Sequence, residues 1–127
     1  MIGIFAVNQN AKAGAPPVFA VEYFRDSNLT ISMGNSPKLR AGTYYIKITT
    51  EALVSTPTIT IAAEGTANDI TNAATVLIST GVYEYTRTIA YDVAAVGSVR
   101  ETFGITGTNA FGTSSGAQPT NWATAPG

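Results

Sequence analysis

This chain has no cysteine and no histidine. Disulfides, thiolate chemistry and proton relays through an imidazole are thereby excluded, as are zinc sites built on those ligands. Charge is scarce too: seven basic and eight acidic residues make up 12% of the 127 positions, and the net charge is -1. A nucleic-acid footprint needs clustered Lys and Arg to neutralise phosphates. Here the basic residues are scattered, and only Lys38 and Arg40 stand close together, in what reads as a solvated turn. No nucleic-acid partner is expected. Apolar runs fall far below the ~18 residues that a membrane-crossing helix needs, so no membrane span is expected either.

Catalytic groups are equally thin. Glu22, Asp26, Glu51, Glu64, Asp69, Glu84, Asp92 and Glu101 come singly, mostly at outward or turn positions. Paired-acid glycoside hydrolysis therefore finds no pair. No Gly-rich phosphate loop follows a strand and opens a helix. Asp69 with Asn68 and Asn72, or Asp92 alone, offers too few converging oxygens for calcium. The expectation is a non-enzyme, with no cofactor and no metal.

What the chain does contain is Thr, Val, Ile and Tyr, punctuated every ten or so positions by turn residues. That pattern predicts an all-β sandwich or barrel. In "TYYIKITT", Tyr44, Ile46 and Ile48 fall on one face and Tyr45, Lys47 and Thr49 on the other. This is the two-residue period of a half-buried strand. "PTITIAA" sets Ile59, Ile61 and Ala63 inward, and "VYEYTRTIAYDV" aligns Tyr83, Tyr85, Ile89 and Tyr91. "SVRETFGIT" gathers Val99, Phe103 and Ile105, with Glu101 an awkward member of that face. Upstream, "VFAVEYF" offers Phe19, Val21 and Tyr23, and "LTISM" offers Leu29, Ile31 and Met33. The expected core is Tyr44, Ile46, Ile48, Ile59, Ile61, Tyr85, Ile89, Phe103 and Ile105. "NDITNAATVLIS" carries an Asn/Asp cap that suits a short helix, but its β-branched residues favour an extended or mixed form. Lys47 points outward, which argues against a Lys–Asn isopeptide cross-link to Asn109 with Glu101 as the acid.

"LRAGTYYIKITTEALVSTPTITI" resembles a strand–loop–strand stretch of bacterial Ig-like (Big-type) repeat domains of extracellular surface proteins. The matching positions are Gly42, Thr43, Tyr44, Glu51, Ala52, Thr56, Pro57 and Thr58. "YEYTRTI" is similar to the family's Tyr-x-Tyr-Thr strand, and "ITGTNAFG" to the turn that leads into its last strand. The likeness runs over roughly 19–112 and implies an Ig-like antiparallel β-sandwich at a cell surface. Asn109 stands where the family has Asp, and Thr113 where it has Asn, so no calcium is expected at that turn. After Gly112 the chain becomes small, polar and Pro/Gly-rich, and the family's final strand is not recognisable there.

The opening "MIGIFAVN" is apolar on both faces: Ile2, Ile4 and Ala6 on one, Met1, Gly3, Phe5 and Val7 on the other. A strand of that kind requires cover on both sides. Three readings stand. "AKA" (Ala11 to Ala13) after an apolar segment suits an export signal, though the segment is short and lacks a preceding basic residue. Residues 2–7 also suit the first strand of their own domain, paired in cis. In the third reading the sandwich lacks its last strand, and Ile2, Ile4, Phe5 and Val7 of a neighbouring copy complete it. Such donor-strand pairing is heterologous and generates a fibre.

The expected organisation is a donor-type strand at 1–8, a flexible tether at 9–17, the sandwich at 18–112 and a coil tail at 113–127. The expected function is an extracellular structural subunit, a head-to-tail homopolymer of a surface filament. The alternative is a single repeat of a large surface adhesin with a stalk role or a carbohydrate- or host-binding role. There Tyr44, Tyr45, Tyr83, Tyr85, Tyr91 and Trp122 would form the platform for a surface glycan, although tyrosines at strand spacing more often pack across strands.

Overall fold

The computed structural model describes residues 16–51, 53, 55–63, 69–90 and 99–124. Among these described residues ten strands follow one another: β1 (Ala20–Phe24), β2 (Ser32–Gly34), β3 (Lys38–Arg40), β4 (Gly42–Thr49), β5 (Thr58–Ala63), β6 (Ile70–Ala74), β7 (Val76–Ser79), β8 (Val82–Ile89), β9 (Val99–Asn109) and β10 (Gly112–Thr124). They form two five-stranded sheets, ordered β2-β1-β4-β8-β7 and β3-β10-β9-β5-β6. This is the strand order of an immunoglobulin-type sandwich. β1, β4, β8 and β7 take the places of A, B, E and D, while β5, β9 and β10 take those of C, F and G. Among the described residues every pairing is antiparallel except that of β10 with β3, which is parallel.

The alternating residues meet between the sheets. Ile46, Ile48, Ile59, Ile61, Ile89, Phe103 and Ile105 are buried there with Tyr44, Tyr83, Phe19, Val21, Tyr23 and Leu39. Tyr85 packs against this cluster but is only partly buried. Tyr23 and Phe103 meet edge to face, with ring centroids 6.3 Å apart, an arrangement that aromatic quadrupoles favour. One charged residue joins them. Arg87 follows Tyr85 at the inward period of β8 and is fully buried.

Several expectations are corrected. The segment expected as a coil at 113–127 is a strand as far as Thr124, and it pairs with β9 along nearly its whole length. The sandwich therefore extends beyond Gly112, and the gap expected for a missing last strand is filled by the chain itself. Backbone ladders need no apolar side chains, so "GTSSGAQPTNWAT" makes one; the register shifts between Gln118 and Asn121, where Pro119 has no N–H to give. Lys38 and Arg40 flank a buried Leu39 in a short strand, not a turn. β9 continues through the stretch read as a turn as far as Asn109, whose Oδ1 accepts from the N–H of Phe111 and Gly112 and so closes the β9–β10 hairpin. In "LTISM" only the end is strand: Leu29 sits at φ 58 and Ile31 is exposed.

The β1–β2 connection is organised by Asp26. Its carboxylate accepts from the Thr30 N–H, the Thr30 hydroxyl and the Ile31 N–H. These bonds, the Thr30 hydroxyl foremost, hold the Asp26 carboxyl below its ordinary 3.8. A lowered carboxyl adds stability above its unfolded pKa, and that contribution is lost as pH falls through the folded value. A carbon-detected NMR titration is thus expected to place the Asp26 midpoint below that of an unstructured aspartate, and Thr30→Ala is expected to move it back up.

Candidate functional site, an exposed sheet edge

Among the described residues the outermost strands of the two sheets are β2, β7, β3 and β6, and because β3 covers only Trp122–Thr124 of β10, the outer side of β10 over 112–121 is an edge too. Unpaired N–H and C=O groups on such edges recruit other strands, and proteins blunt them with shortness, charge, proline or bulges. β2 and β3 have three residues each, and two of the three in β3 are the exposed Lys38 and Arg40. β6 is interrupted at Asn72, which adopts φ 49 and ties its N–H to the Thr60 hydroxyl. β7 is short as well, with an irregular register between Leu77 and Ser79. Yet its "VLIS" has neither charge nor proline, and Val76, Leu77 and Ile78 are 62%, 58% and 50% exposed.

Both faces of β7 are apolar. Leu77 stands across from Tyr83, on the side that faces the opposite sheet, whereas Val76 stands across from Glu84 on the outer side. Beside Leu77 lies a half-open hollow of roughly 160 Å³, lined by Leu53, Leu77, Thr80, Gly81 and Tyr83. Other large exposed apolar residues, Val18, Ile31 and Phe111, occur singly along the chain and require no special account. Three consecutive ones on an edge do.

Two pins set β7 in place. At its start, Thr75 is buried; its hydroxyl donates to the Pro57 carbonyl at 2.8 Å, fixing the crossing from one sheet to the other. At its end, Gly81 makes the turn into β8 at φ +76, and its carbonyl accepts from the Thr50 N–H at 2.8 Å. No protein-family model, curated protein or solved structure matches this chain.

The remaining candidate residues are distributed as follows. Ile2, Ile4, Phe5 and Val7, together with the 9–15 part of the tether, lie outside the described residues, as do Tyr91 and the side chain of Trp122. Among the tyrosines of the supposed platform, Tyr44 and Tyr83 are buried and Tyr45 and Tyr85 are half-buried. Tyr44 donates to the Arg40 carbonyl at 2.9 Å. These rings pack and tie strands, and the four do not share one open face. Lys47 places its ammonium 5.9 Å from the Phe24 ring centroid, on the outer face of its sheet. The Asn109 amide donates to Glu51 Oε2 at 2.8 Å. Lys47 and Asn109 thus serve different sheets. Among the described residues, no group of three or more acidic side chains is placed to hold a metal ion, and no helix is long and apolar enough to cross a membrane.

Edge exposure escaped sequence reading because "TVLIST" looks the same whether its strand ends up central or marginal. A signal was present nonetheless: three apolar residues in a row without alternation suit either a doubly covered strand or one that awaits cover.

Proposed function

We propose that this chain is a non-catalytic structural module that works outside the cell by assembling with copies of itself. The observation that supports this most directly is the β7 edge, which has neither charge nor proline and exposes three consecutive apolar residues. Strand addition to such an edge combines main-chain hydrogen bonds with burial of alternate side chains. The absence of cysteine and histidine and the low charge suit a structural extracellular role, as does the resemblance to bacterial surface Ig-like repeats. A contact that joins one edge to a different surface does not close, so it yields fibres rather than dimers.

Lysines at two exposed positions of β7 provide the test. Val76→Lys with Ile78→Lys installs the charge that edge strands normally carry, at sites already open to solvent, so folding should be little affected. The parent chain is expected to show concentration-dependent growth by light scattering and fibres under negative stain, and the double variant to remain monomeric. A parent chain that stays monomeric over the same concentrations would refute the reading.

A further inference from the structure

We infer that the strand received by β7 is residues 1–8 of a neighbouring copy, docked in trans; this rests on the self-assembly reading above. The first ground is complementarity. "MIGIFAVN" is apolar on both faces, and β7 presents Val76 on the outer side, Leu77 on the inner side and an exposed Ile78 at the register shift between Leu77 and Ser79. A segment greasy on both sides gains little from an edge strand with one polar side; β7 itself is apolar on both, with Glu84 beyond Val76 on the outer side. The hollow beside Leu77 has a volume of roughly 160 Å³. That is about the space that a single aromatic ring fills. Phe5 is the one aromatic residue in the segment. With Phe5 and Val7 turned to Leu53, Leu77 and Tyr83, Ile2 and Ile4 lie on the outer side with Val76.

The second ground is where the leader departs. Phe19 is buried against Gly107 of β9, where a Cβ would stand 2.6 Å from its ring. The Val18 carbonyl accepts from the Thr50 hydroxyl at 2.7 Å, and Pro16 packs beside Gly112. The exit is thus held at the β1/β10 side, while β7 is the far edge of the sheet β2-β1-β4-β8-β7. A strand added outside β7 stands four strand spacings from β1, about 19 Å. Residues 9–15 bridge eight steps from residue 8 to Pro16, at most about 28 Å when fully extended, so docking on the chain's own β7 takes up about two thirds of that reach.

Direction weighs the same way. Ala20, Thr49, Val82 and Ser79 lie in one row across the sheet, so the exit and the end of β7 share one end of the sandwich. A leader returning in cis would have to run parallel to β7, the weaker ladder per residue. A leader from another copy is free to run antiparallel with a slack tether.

The test uses the full chain, a variant lacking residues 1–8, and a labelled synthetic peptide of those eight residues. Fibres are expected from the full chain and none from the shortened one. The peptide is expected to bind the shortened chain saturably, with affinity reduced at least tenfold by Phe5→Ala in the peptide, the scale of a lost aromatic anchor. It should not bind when Val76→Lys and Ile78→Lys are also present. A photo-crosslinker at position 5, in mixed light and heavy-isotope chains, is expected to join different chains at β7. Fibres that persist without residues 1–8 yet vanish with the lysines would overturn the leader's role and leave self-assembly standing. Crosslinks confined within single chains would overturn docking in trans. No fibres from any form would overturn both readings.

Discussion

Arg87→Ala is expected to destabilise the sandwich by about 3–5 kcal/mol and to lower its melting temperature by about 10–20 °C. Arg87 is fully buried and is the largest such side chain among the described residues. It stands across from Tyr44 on the inward side of β8, in line with Tyr85 and Ile89. A buried guanidinium needs partners to offset its desolvation; Arg87 keeps interaction partners within the fold, although its Nε makes no hydrogen bond. Truncation to alanine removes those partners and leaves a cavity, and the two losses add. Arg87→Met separates them: it keeps most of the aliphatic volume and discards the charge. The step from alanine to methionine then measures packing, and the step from methionine to arginine measures the polar contacts. Chemical denaturation of the three proteins reads both. A loss below about 1 kcal/mol for the alanine variant would show the position to be an ordinary surface site.

Arg87 also marks where sequence reading stops. Tyr83, Tyr85 and Ile89 reveal the inward face of β8 by alternation alone, and the position between Tyr85 and Ile89 belongs to that face by the same period. Charge argued the other way, since arginine is seldom fully buried. Only the surrounding partners decide such a conflict, and they come from elsewhere in the chain. The inward isoleucines carry no such conflict, so Ile46, Ile48, Ile59, Ile61 and Ile105 could be read directly from period. β10 was hidden for a different reason. Its ladder is made by the backbone, and Ser, Thr, Gly and Ala announce neither strand nor coil. The pairing partner, β9, supplies the missing information, and pairing is not a local property. The candidate site combined both difficulties. Its apolar residues were visible, but exposure follows from sheet order, which places β7 last beyond β8.

Two glycines at positive φ offer a controlled experiment on that edge. Gly81→Ala is expected to cost about 3 kcal/mol or more, and Gly34→Ala only about 1 kcal/mol. Both adopt left-handed backbone, at φ +76 and φ +81, so the conformational penalty of an L side chain is shared. They differ in surroundings. Around Gly34 nothing lies within 4 Å of an added Cβ, whereas at Gly81 that atom would stand 2.3 Å from the Thr50 carbonyl oxygen. Backbone cannot swing aside as a flexible side chain does, so the β7–β8 turn must move away from the end of β4. The bond from the Thr50 N–H to the Gly81 carbonyl is lost in the process, which adds about 1 kcal/mol. The difference between the two variants, read by denaturant titration, therefore isolates the steric contribution from the φ preference. Its structural consequence is local. β7 keeps its Thr75 pin and loses the other, so amides of Val76 to Ser79 should exchange faster with solvent than in Gly34→Ala, while those of β9 change little. An edge that frays no longer offers an incoming strand a fixed ladder, and the ordering cost passes to the docking step. Fibre growth by Gly81→Ala should accordingly weaken under conditions where most of the protein is still folded. Equal growth by the two variants would mean that β7 is not the surface on which copies meet.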